Sequence, residues 1–213
     1  PKPREVDGFL ASHLRICVLH TSQIEVQERA KKGWRYCGLA YEYGHLTEYG
    51  QLAQSDRHHF RLRTCYLVMF LDDNHQPIHS TPLKIGMNAG VGVAFATELK
   101  QFRTEIETAY FQTVQEPKKS LSDRAHALTV FDFQLGCHKS EGKAPFIYPQ
   151  QRFTPLANSS CHRRDRPVEL IHQPLESLII PKASAAGQTL LFLHAEYQNF
   201  FLHNSDEAAT DLN

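Results

Sequence analysis

The segment TCYLVMFLDDNHQPIHSTPLKI, residues 64–85, decides how the rest of the chain is expected to fold. Its opening run is apolar on both sides of an extended chain, which is typical of a central strand covered on both faces. The DDNHQP run at 72–77 favours a turn, because Asp and Asn side chains bond the nearby backbone and Pro fixes φ. Residues 78–85 predict an antiparallel return strand, which Pro77 and Pro82 restrict to a sheet edge or a bulge.

An amphipathic helix follows this hairpin after a glycine-containing link. Its apolar side chains recur at alternating spacings of four and three residues, and they are Phe95, Leu99, Phe102, Ile106 and Ala109. Charged side chains are expected to occupy much of the remaining surface, and they are Glu98, Lys100, Arg103, Glu105 and Glu107. The helix should begin near Val93 and end at or before Glu116, because Pro117 disfavours helical backbone at the residue before it.

Further segments complete the expected sheet. Alternating apolar residues or aromatic residues predict strands at 13–20, 34–43, 126–135, 175–180 and 189–194. The last of these also fits a helical period that runs through Phe201, so helix and strand both stay open there. Residues 136–174 contain many glycine, proline and polar residues and predict an irregular region, and the acidic end at 204–213 predicts a frayed tail.

Together these elements predict one α+β domain across residues 1–213. We expect a mostly antiparallel, curved sheet of about five to seven strands, with one main amphipathic helix on a face and a loop-rich C-terminal third. A Greek-key barrel of the oligonucleotide-binding type is one form that such a sheet takes.

The composition argues against some classes of protein. The 213 residues include 23 basic and 23 acidic side chains, with a formal net charge of zero and a pI near 7.5. This balance argues against a strongly electrostatic duplex-DNA binder, which usually has a basic excess, but it is compatible with a local basic groove. No apolar run approaches the roughly 18 residues that span a bilayer. Cys17, Cys37 and Cys65 stand in apolar, strand-like surroundings, which predicts reduced thiols in a cytoplasmic protein without a membrane partner.

Two cysteine–histidine dipeptides raise the question of a metal site. Cys137 precedes His138, Cys161 precedes His162, and zinc favours tetrahedral sets of these residue types. Neighbouring residues on an extended chain point to opposite sides, however, and the usual zinc spacing of about two to four residues between ligands is absent. We therefore predict no metal ligand and no cofactor.

Two basic clusters and nearby aromatic residues suggest a surface for single-stranded nucleic acid. The candidate phosphate-binding residues are Arg57, Arg61, Arg63, Arg163, Arg164 and Arg166, and the candidate base-stacking residues are Trp34 and Tyr36. Arginine suits phosphate, and an aromatic ring stacks on any base. The sequence thus favours a non-enzymatic protein that binds single-stranded DNA or RNA through a basic and aromatic sheet face. A solvated mixed-charge strand and ordinary core aromatics are the alternative explanation of the same residues.

A second hypothesis is a protein–protein interaction or assembly subunit of a phage, plasmid or defence complex. It depends on the neutral net charge and the loop-rich C-terminal third. Catalysis has no support, because the chain lacks the G-x-S-x-G, H-E-x-x-H and G-x-x-x-x-G-K-[ST] motifs. Asp132 stands between Phe131 and Phe133, so strand alternation turns it away from those rings, and we expect it to be solvated.

The hairpin and the helix also carry a family resemblance. FLDD at 70–73 is followed by HQPIHSTPLK at 75–84, by a glycine-containing link, and by a helix with Phe95 and Phe102. This order resembles a family of uncharacterised cyanobacterial proteins, frequent on plasmids and in mobile-element settings, over roughly residues 7–133. The resemblance implies a bacterial, cytoplasmic, non-housekeeping protein, and it assigns neither an activity nor a functional residue.

Overall fold

The computed structural model describes residues 13–138, 146–157 and 168–201, and these form the mixed α+β fold that the sequence predicts. The strands are β1 (His13–Thr21), β2 (Glu25–Arg29), β3 (Trp34–Leu39), β4 (Tyr41–Glu42), β5 (His45–Leu46), β6 (Phe60–Phe70), β7 (Leu83–Asn88), β8 (Phe131–His138), β9 (Phe146–Thr154) and β10 (Glu169–His172). The helices are α1 (Glu48–Ser55), α2 (Ala89–Val114), α3 (Asp123–His126) and α4 (Ala185–Glu196), and Leu175–Leu178 form a 3-10 turn.

The main sheet is large, open and mostly antiparallel. Its strands follow the order β10-β9-β8-β1-β6-β2-β3, β7 also pairs with β6, and β10 runs parallel to β9. Strands β1 and β2 follow one another along one side of β6, because β1 pairs with residues 66–70 and β2 with residues 60–63. The described strands form no closed barrel, so the expected oligonucleotide-binding type of barrel is wrong for this part of the chain.

Strand β6 is the centre of the sheet, as the residue 64–85 segment predicts. Tyr66 and Val68 pack in the cluster that includes the apolar face of α2. Met69 and Leu71 pack in a second cluster that includes α4. Because successive strand residues point to opposite faces, β6 is covered on both sides. Each fully buried side chain of this size contributes roughly 1.5–3 kcal/mol of hydrophobic stabilisation.

The return strand begins later than the sequence predicts. It covers Leu83–Asn88 instead of residues 78–85. Pro82 lies just before the observed strand and has no N–H to donate to a ladder. The imidazole of His79 serves as the acceptor for one backbone donor of β6, because its Nε2 accepts the N–H of Phe70 at 2.9 Å. Among the described strands β7 pairs with β6 alone, which agrees with the predicted edge position.

Helix α2 is the main helix and carries the predicted apolar stripe. It covers Ala89–Val114, and Gln115 ends it in the left-handed region at φ 55°. Phe95 meets Phe131 and Phe133 edge to face, with ring centroids 5.6 and 5.8 Å apart. These contacts hold the helix over β8. None of the described helices, α2 included, is long and apolar enough to cross a membrane.

Some predicted strands have another type or length. Residues 189–194 lie in α4, so the helical alternative is correct there. Residues 175–178 form the 3-10 turn, and only Ile179 makes a strand-like bridge, to Thr129. The strand expected at 126–135 begins at Phe131, because α3 and a turn precede it.

The prediction of an irregular region at 136–174 is wrong for its described parts. They contain the end of β8 and the strands β9 and β10. The β9 sequence, FIYPQQRFT, mixes proline and polar residues with apolar ones, so its alternation is weak. The predicted frayed tail at 204–213 lies outside the described residues.

A buried arginine fastens β9 to α2. Arg152 is fully buried, and its guanidinium donates to Glu98 at 3.0 Å and to both carboxylate oxygens of Glu105 at 2.7 and 2.9 Å. Burial disfavours the charge, but the bonds to Glu105 and Glu98 outweigh it and raise the pKa of Arg152. Both glutamates are buried too. The expectation that they lie on the solvated surface of α2 is therefore wrong.

Candidate nucleic-acid interface

One side of β6, β2 and β3 brings together predicted binding residues from separate parts of the sequence. Residues that face each other across a ladder project to the same side of a sheet. The register pairs Arg61 with Gln27 and Gln27 with Tyr36, which form one row across the three strands. Arg63 lies two residues along β6, and Trp34 two residues along β3, so alternation places both on this side. It is the side that α4 partly covers.

Arg61 and Trp34 form a stacked pair. The guanidinium carbon of Arg61 lies 4.2 Å from the centroid of the Trp34 ring, which is a cation–π contact. Its Nε donates to Gln27 Oε1 at 2.9 Å, which fixes the orientation of the guanidinium. Burial, followed by the charge of Arg63, lowers the pKa of Arg61, but arginine stays a cation at neutral pH. The pair therefore presents a positive charge fixed beside a flat ring.

Arg63 crosses the neighbouring strand at a glycine. A Cβ atom at Gly86 of β7 would overlap the Arg63 guanidinium, so glycine leaves the room that this side chain occupies. The Nε of Arg63 is buried and has no hydrogen-bond partner among the described residues. A buried donor without a partner costs roughly 1–3 kcal/mol. Arg63 is therefore a positioned cation whose Nε donor is not used by the described residues.

Several of these side chains line a cavity of about 850 Å³, which we refer to below as the groove; Arg61 is not part of its lining and adjoins it through Trp34. That volume lies within the range of about 300–1,000 Å³ that is usual for ligand sites. Trp34, Tyr36, Arg63, Lys84 and Phe201 all line it. The Nζ atom of Lys84 lies 5.6 Å from the Phe201 ring centroid, which gives a second contact between a cation and an aromatic ring.

The groove also contains acidic side chains, Glu25 and Glu42. Glu25 lies opposite Arg63 in the register and accepts the thiol of Cys65 at 3.7 Å. The charge of the groove is therefore mixed. The carboxylates disfavour a bare polyanion, whereas the cations suit an anionic group and the aromatic side chains suit a flat apolar one.

The remaining predicted binding residues are not brought to the groove. Arg57 is exposed in the turn before β6, and it is not part of the groove lining. Arg163, Arg164 and Arg166 lie outside the described residues. The structure thus brings Arg61 and Arg63 of the first cluster to the side of the sheet that carries Trp34 and Tyr36, and the role of the second cluster stays a prediction.

The cysteine–histidine pairs are only partly described. Cys137 is exposed near the end of β8, whereas Cys161 and His162 lie outside the described residues, as does the side chain of His138. In the described part of the chain, no three His, Cys, Asp or Glu side chains come close enough together to hold a metal ion. The expectation about zinc stays a prediction.

Sequence reasoning missed a polar cluster on β1 and β8. Asp132 is 3% exposed; it accepts the Nε of Arg15 at 2.8 Å and also bonds His13. Arg15 pairs in addition with Asp73 in the hairpin turn. Alternation does turn Asp132 away from the neighbouring rings, but the prediction that it is solvated is wrong, because side chains of β1 cover it. Its partners make this a structural cluster that ties the turn to the sheet.

A protein family covers the same part of the chain. Residues 3–146 match a family described as a domain of unknown function, DUF5895, and this match includes more than half of the chain. The chain belongs to the DUF5895 family. No curated protein and no solved structure matches the chain.

The DUF5895 region supplies most of the groove. Strands β1 to β8 lie within residues 3–146, so Trp34, Arg61, Arg63 and Gly86 all belong to the family region. Strand β10 and helix α4 follow it, as do nearly all of β9 and the groove residue Phe201. The family match is longer at both ends than the resemblance expected from the sequence, and it assigns no activity.

Proposed function

We propose that this DUF5895 protein binds a short segment of single-stranded nucleic acid in the groove and performs no chemistry on it. A base stacks beside the Trp34–Arg61 pair and Tyr36, and Arg63 and Lys84 contact phosphate oxygens. The proposal includes the setting that the family resemblance implies, a plasmid or mobile element in the bacterial cytoplasm.

The observation that supports the proposal is the position of Arg63. Arg63, whose buried Nε has no partner among the described residues, lines the groove together with Trp34, and Arg61 stacks on Trp34 beside it. Phosphate oxygens accept the donors of an arginine fork, and stacking on an aromatic side chain is worth roughly 1–3 kcal/mol per base. A nucleotide carries a phosphate group and a base at a short, fixed separation, so it can make both contacts.

The ligand is proposed as single-stranded because the groove offers ring faces. In a duplex the faces of the bases are stacked on one another, so an aromatic side chain reaches them only in unpaired segments. The neutral net charge of the chain supports the same choice, since non-specific duplex binding depends mainly on a large excess of positive charge.

The test is a fluorescence-anisotropy titration of the full chain with labelled single-stranded DNA and RNA oligonucleotides at low salt. Arg63→Gln should weaken binding about tenfold or more, because it removes a charged hydrogen-bond donor. Trp34→Ala should weaken it roughly fivefold to 150-fold through lost stacking.

The matched control is Arg35→Gln. Arg35 lies on β3 next to Trp34, points to the other side by alternation, and pairs with Glu28 at 2.6 Å. Arg35→Gln removes the same charge as Arg63→Gln but on the other side of the sheet, so binding should change little. Absence of binding at tens of micromolar protein, or equal losses in Arg35→Gln and Arg63→Gln, would overturn the proposal.

The second candidate function is an assembly subunit, and exposed tyrosines favour it. Tyr43 is fully exposed at the tip of the β4–β5 hairpin, with φ 50°, and Tyr41 and Tyr49 are exposed nearby in the sequence. Tyrosine is enriched at protein interfaces. Native mass spectrometry supports this candidate if it finds an oligomer or complex that Tyr43→Ser weakens, and a lone monomer without a partner contradicts it.

A further inference from the structure

A second cavity lies on the other side of the sheet, between α2 and the segment that leads into α3. Its volume is about 420 Å³, and we name it the α2 cleft. Its charged and polar lining residues include Lys100, Arg103, Glu107, Ser120, Asp123 and His126. Thr21, at the end of β1, lines both the α2 cleft and the groove. The two cavities share no lining residue that carries a charge.

The carboxylates of α2 are already engaged elsewhere. The helix contains three glutamates and two basic residues. Glu98 and Glu105 bind the buried Arg152 of β9. This leaves Glu107 as the carboxylate of α2 that reaches the α2 cleft.

Glu107 is occupied by the segment that closes the α2 cleft. Its Oε1 accepts the N–H of Leu121 at 3.0 Å and the hydroxyl of Ser120 at 3.2 Å, and it bonds His126 Nε2 at 3.1 Å. Burial opposes the charge of this carboxyl group, but these bonds outweigh it and lower the pKa of Glu107. The hydrogen bonds of this carboxylate therefore go to the segment and not to Lys100 or Arg103, although its charge still acts on Arg103 through space.

Lys100 and Arg103 are the cations left without a pair. They lie one helical turn apart, both line the α2 cleft, and within the described part of the chain no ion pair joins either of them to a carboxylate. Like charges at this spacing on a helix repel each other. The Nε of Arg103 is also buried without a hydrogen-bond partner among the described residues. Burial lowers the pKa of Arg103, in spite of the opposing charges of Asp123 and Glu107.

Asp123 is the second carboxylate of the α2 cleft. It is exposed in the first turn of α3, where solvent screens its charge. It offsets part of the positive charge but does not bond Arg103. Two adjacent cations, one of them half-buried, therefore face a cavity of the size of a small ligand.

We propose that the α2 cleft binds a small oxyanion, inorganic phosphate or a phosphomonoester, through Arg103 and Lys100. Arginine presents donors in a fork that matches phosphate oxygens, and a lysine adds a point charge beside it. The proposal does not depend on the groove or on its nucleic-acid ligand, because the α2 cleft lies on the other side of the sheet and uses different cations.

The test is isothermal titration calorimetry of the full chain with inorganic phosphate at constant ionic strength, followed by ³¹P NMR line broadening. A parallel titration with ribose 5-phosphate distinguishes a phosphomonoester from free phosphate. Arg103→Met should weaken binding about tenfold or more, since a charged hydrogen bond is lost. Asp123→Asn should tighten it about twofold to fivefold, because it removes the opposing charge.

The matched control is Lys119→Met, an exposed lysine in the same segment that does not line the α2 cleft. It should leave affinity unchanged. If Arg103→Met fails to fold, Lys100→Met decides the question, since Lys100 is exposed and its loss should still weaken binding severalfold.

No binding of either compound at about 10 mM would overturn the proposal. Equal losses in Lys119→Met and Arg103→Met, or an unchanged affinity in Asp123→Asn, would also overturn it. Oligonucleotide affinity should be the same in Arg103→Met as in the unaltered protein, so failure of the oxyanion site and failure of the nucleic-acid interface give different results.

Discussion

Replacing Arg152 with methionine is expected to destabilise the fold strongly and in a pH-dependent way. The change leaves Glu98 and Glu105 buried without their common partner. Removing one member of a buried ion pair typically costs about 3–5 kcal/mol. The cost has a ceiling, because a buried glutamate can take up a proton instead. For an ordinary pKa of about 4.3, protonating each of the two glutamates costs roughly 4 kcal/mol at pH 7 and roughly 1 kcal/mol at pH 5, so the ceiling for the pair is about 7 kcal/mol at pH 7 and about 2 kcal/mol at pH 5.

The assay is urea unfolding of both proteins at pH 7 and pH 5. The difference in unfolding free energy should be about 4 kcal/mol at pH 7, a large part of the 5–15 kcal/mol that is usual for a domain. It should shrink clearly at pH 5. In a triple variant, Glu98→Leu, Glu105→Leu and Arg152→Met, most of the lost stability should return, since an apolar set replaces the buried charges. A loss below about 1 kcal/mol at pH 7, or a triple variant no more stable than Arg152→Met, would refute the reasoning.

Three other predictions concern pH, the groove and the extent of the folding unit. Burial lowers the pKa of His75, His126 and His194 below 6.5. At pH values near and below 6.5 the folded state therefore binds fewer protons than the unfolded state. The unfolding free energy should therefore fall as pH drops below about 6.5. An unfolding free energy from urea titration that stays the same at acidic pH would contradict this. Gly86→Ala should displace Arg63 without removing its charge, so oligonucleotide affinity should fall as in Arg63→Gln while the urea midpoint changes little, and unchanged affinity speaks against that role. A fragment that ends at residue 146 lacks Arg152 and should show no cooperative thermal unfolding by circular dichroism at neutral pH, where a cooperative transition would be the opposite result.

The sequence predicts the fold well where the physical signal is local. Strand β6 and helix α2 were predictable because their apolar periodicity lies within one continuous segment. Strand β9 was not, because a residue that it buries completely is Arg152, and arginine in a hydropathy pattern indicates a surface position. Its partners on α2 lie 54 and 47 residues away in the sequence, and nothing local connects them.

The candidate site was predictable only in part, because it depends on strand register. Alternation was enough to place Arg61 and Arg63 on one side of β6. The contact of Arg61 with Trp34 also needs the pairing of β2 with β3, in which an irregularity at Val26 and Gln27 shifts the register. Residues such as Lys84 enter the groove from a strand edge, and no sequence pattern marks them as part of a common surface.

Thr21 gives the two proposed sites a common observation point. It is the last residue of β1, and it touches both the groove and the α2 cleft. A selective isotope label on its methyl group would act as one spectroscopic reporter for ligands on either side of the sheet. Titrating oligonucleotide and phosphate separately and then together would show whether the chemical-shift changes add, and any change in one affinity caused by the other ligand would measure the coupling between the two cavities as a free energy.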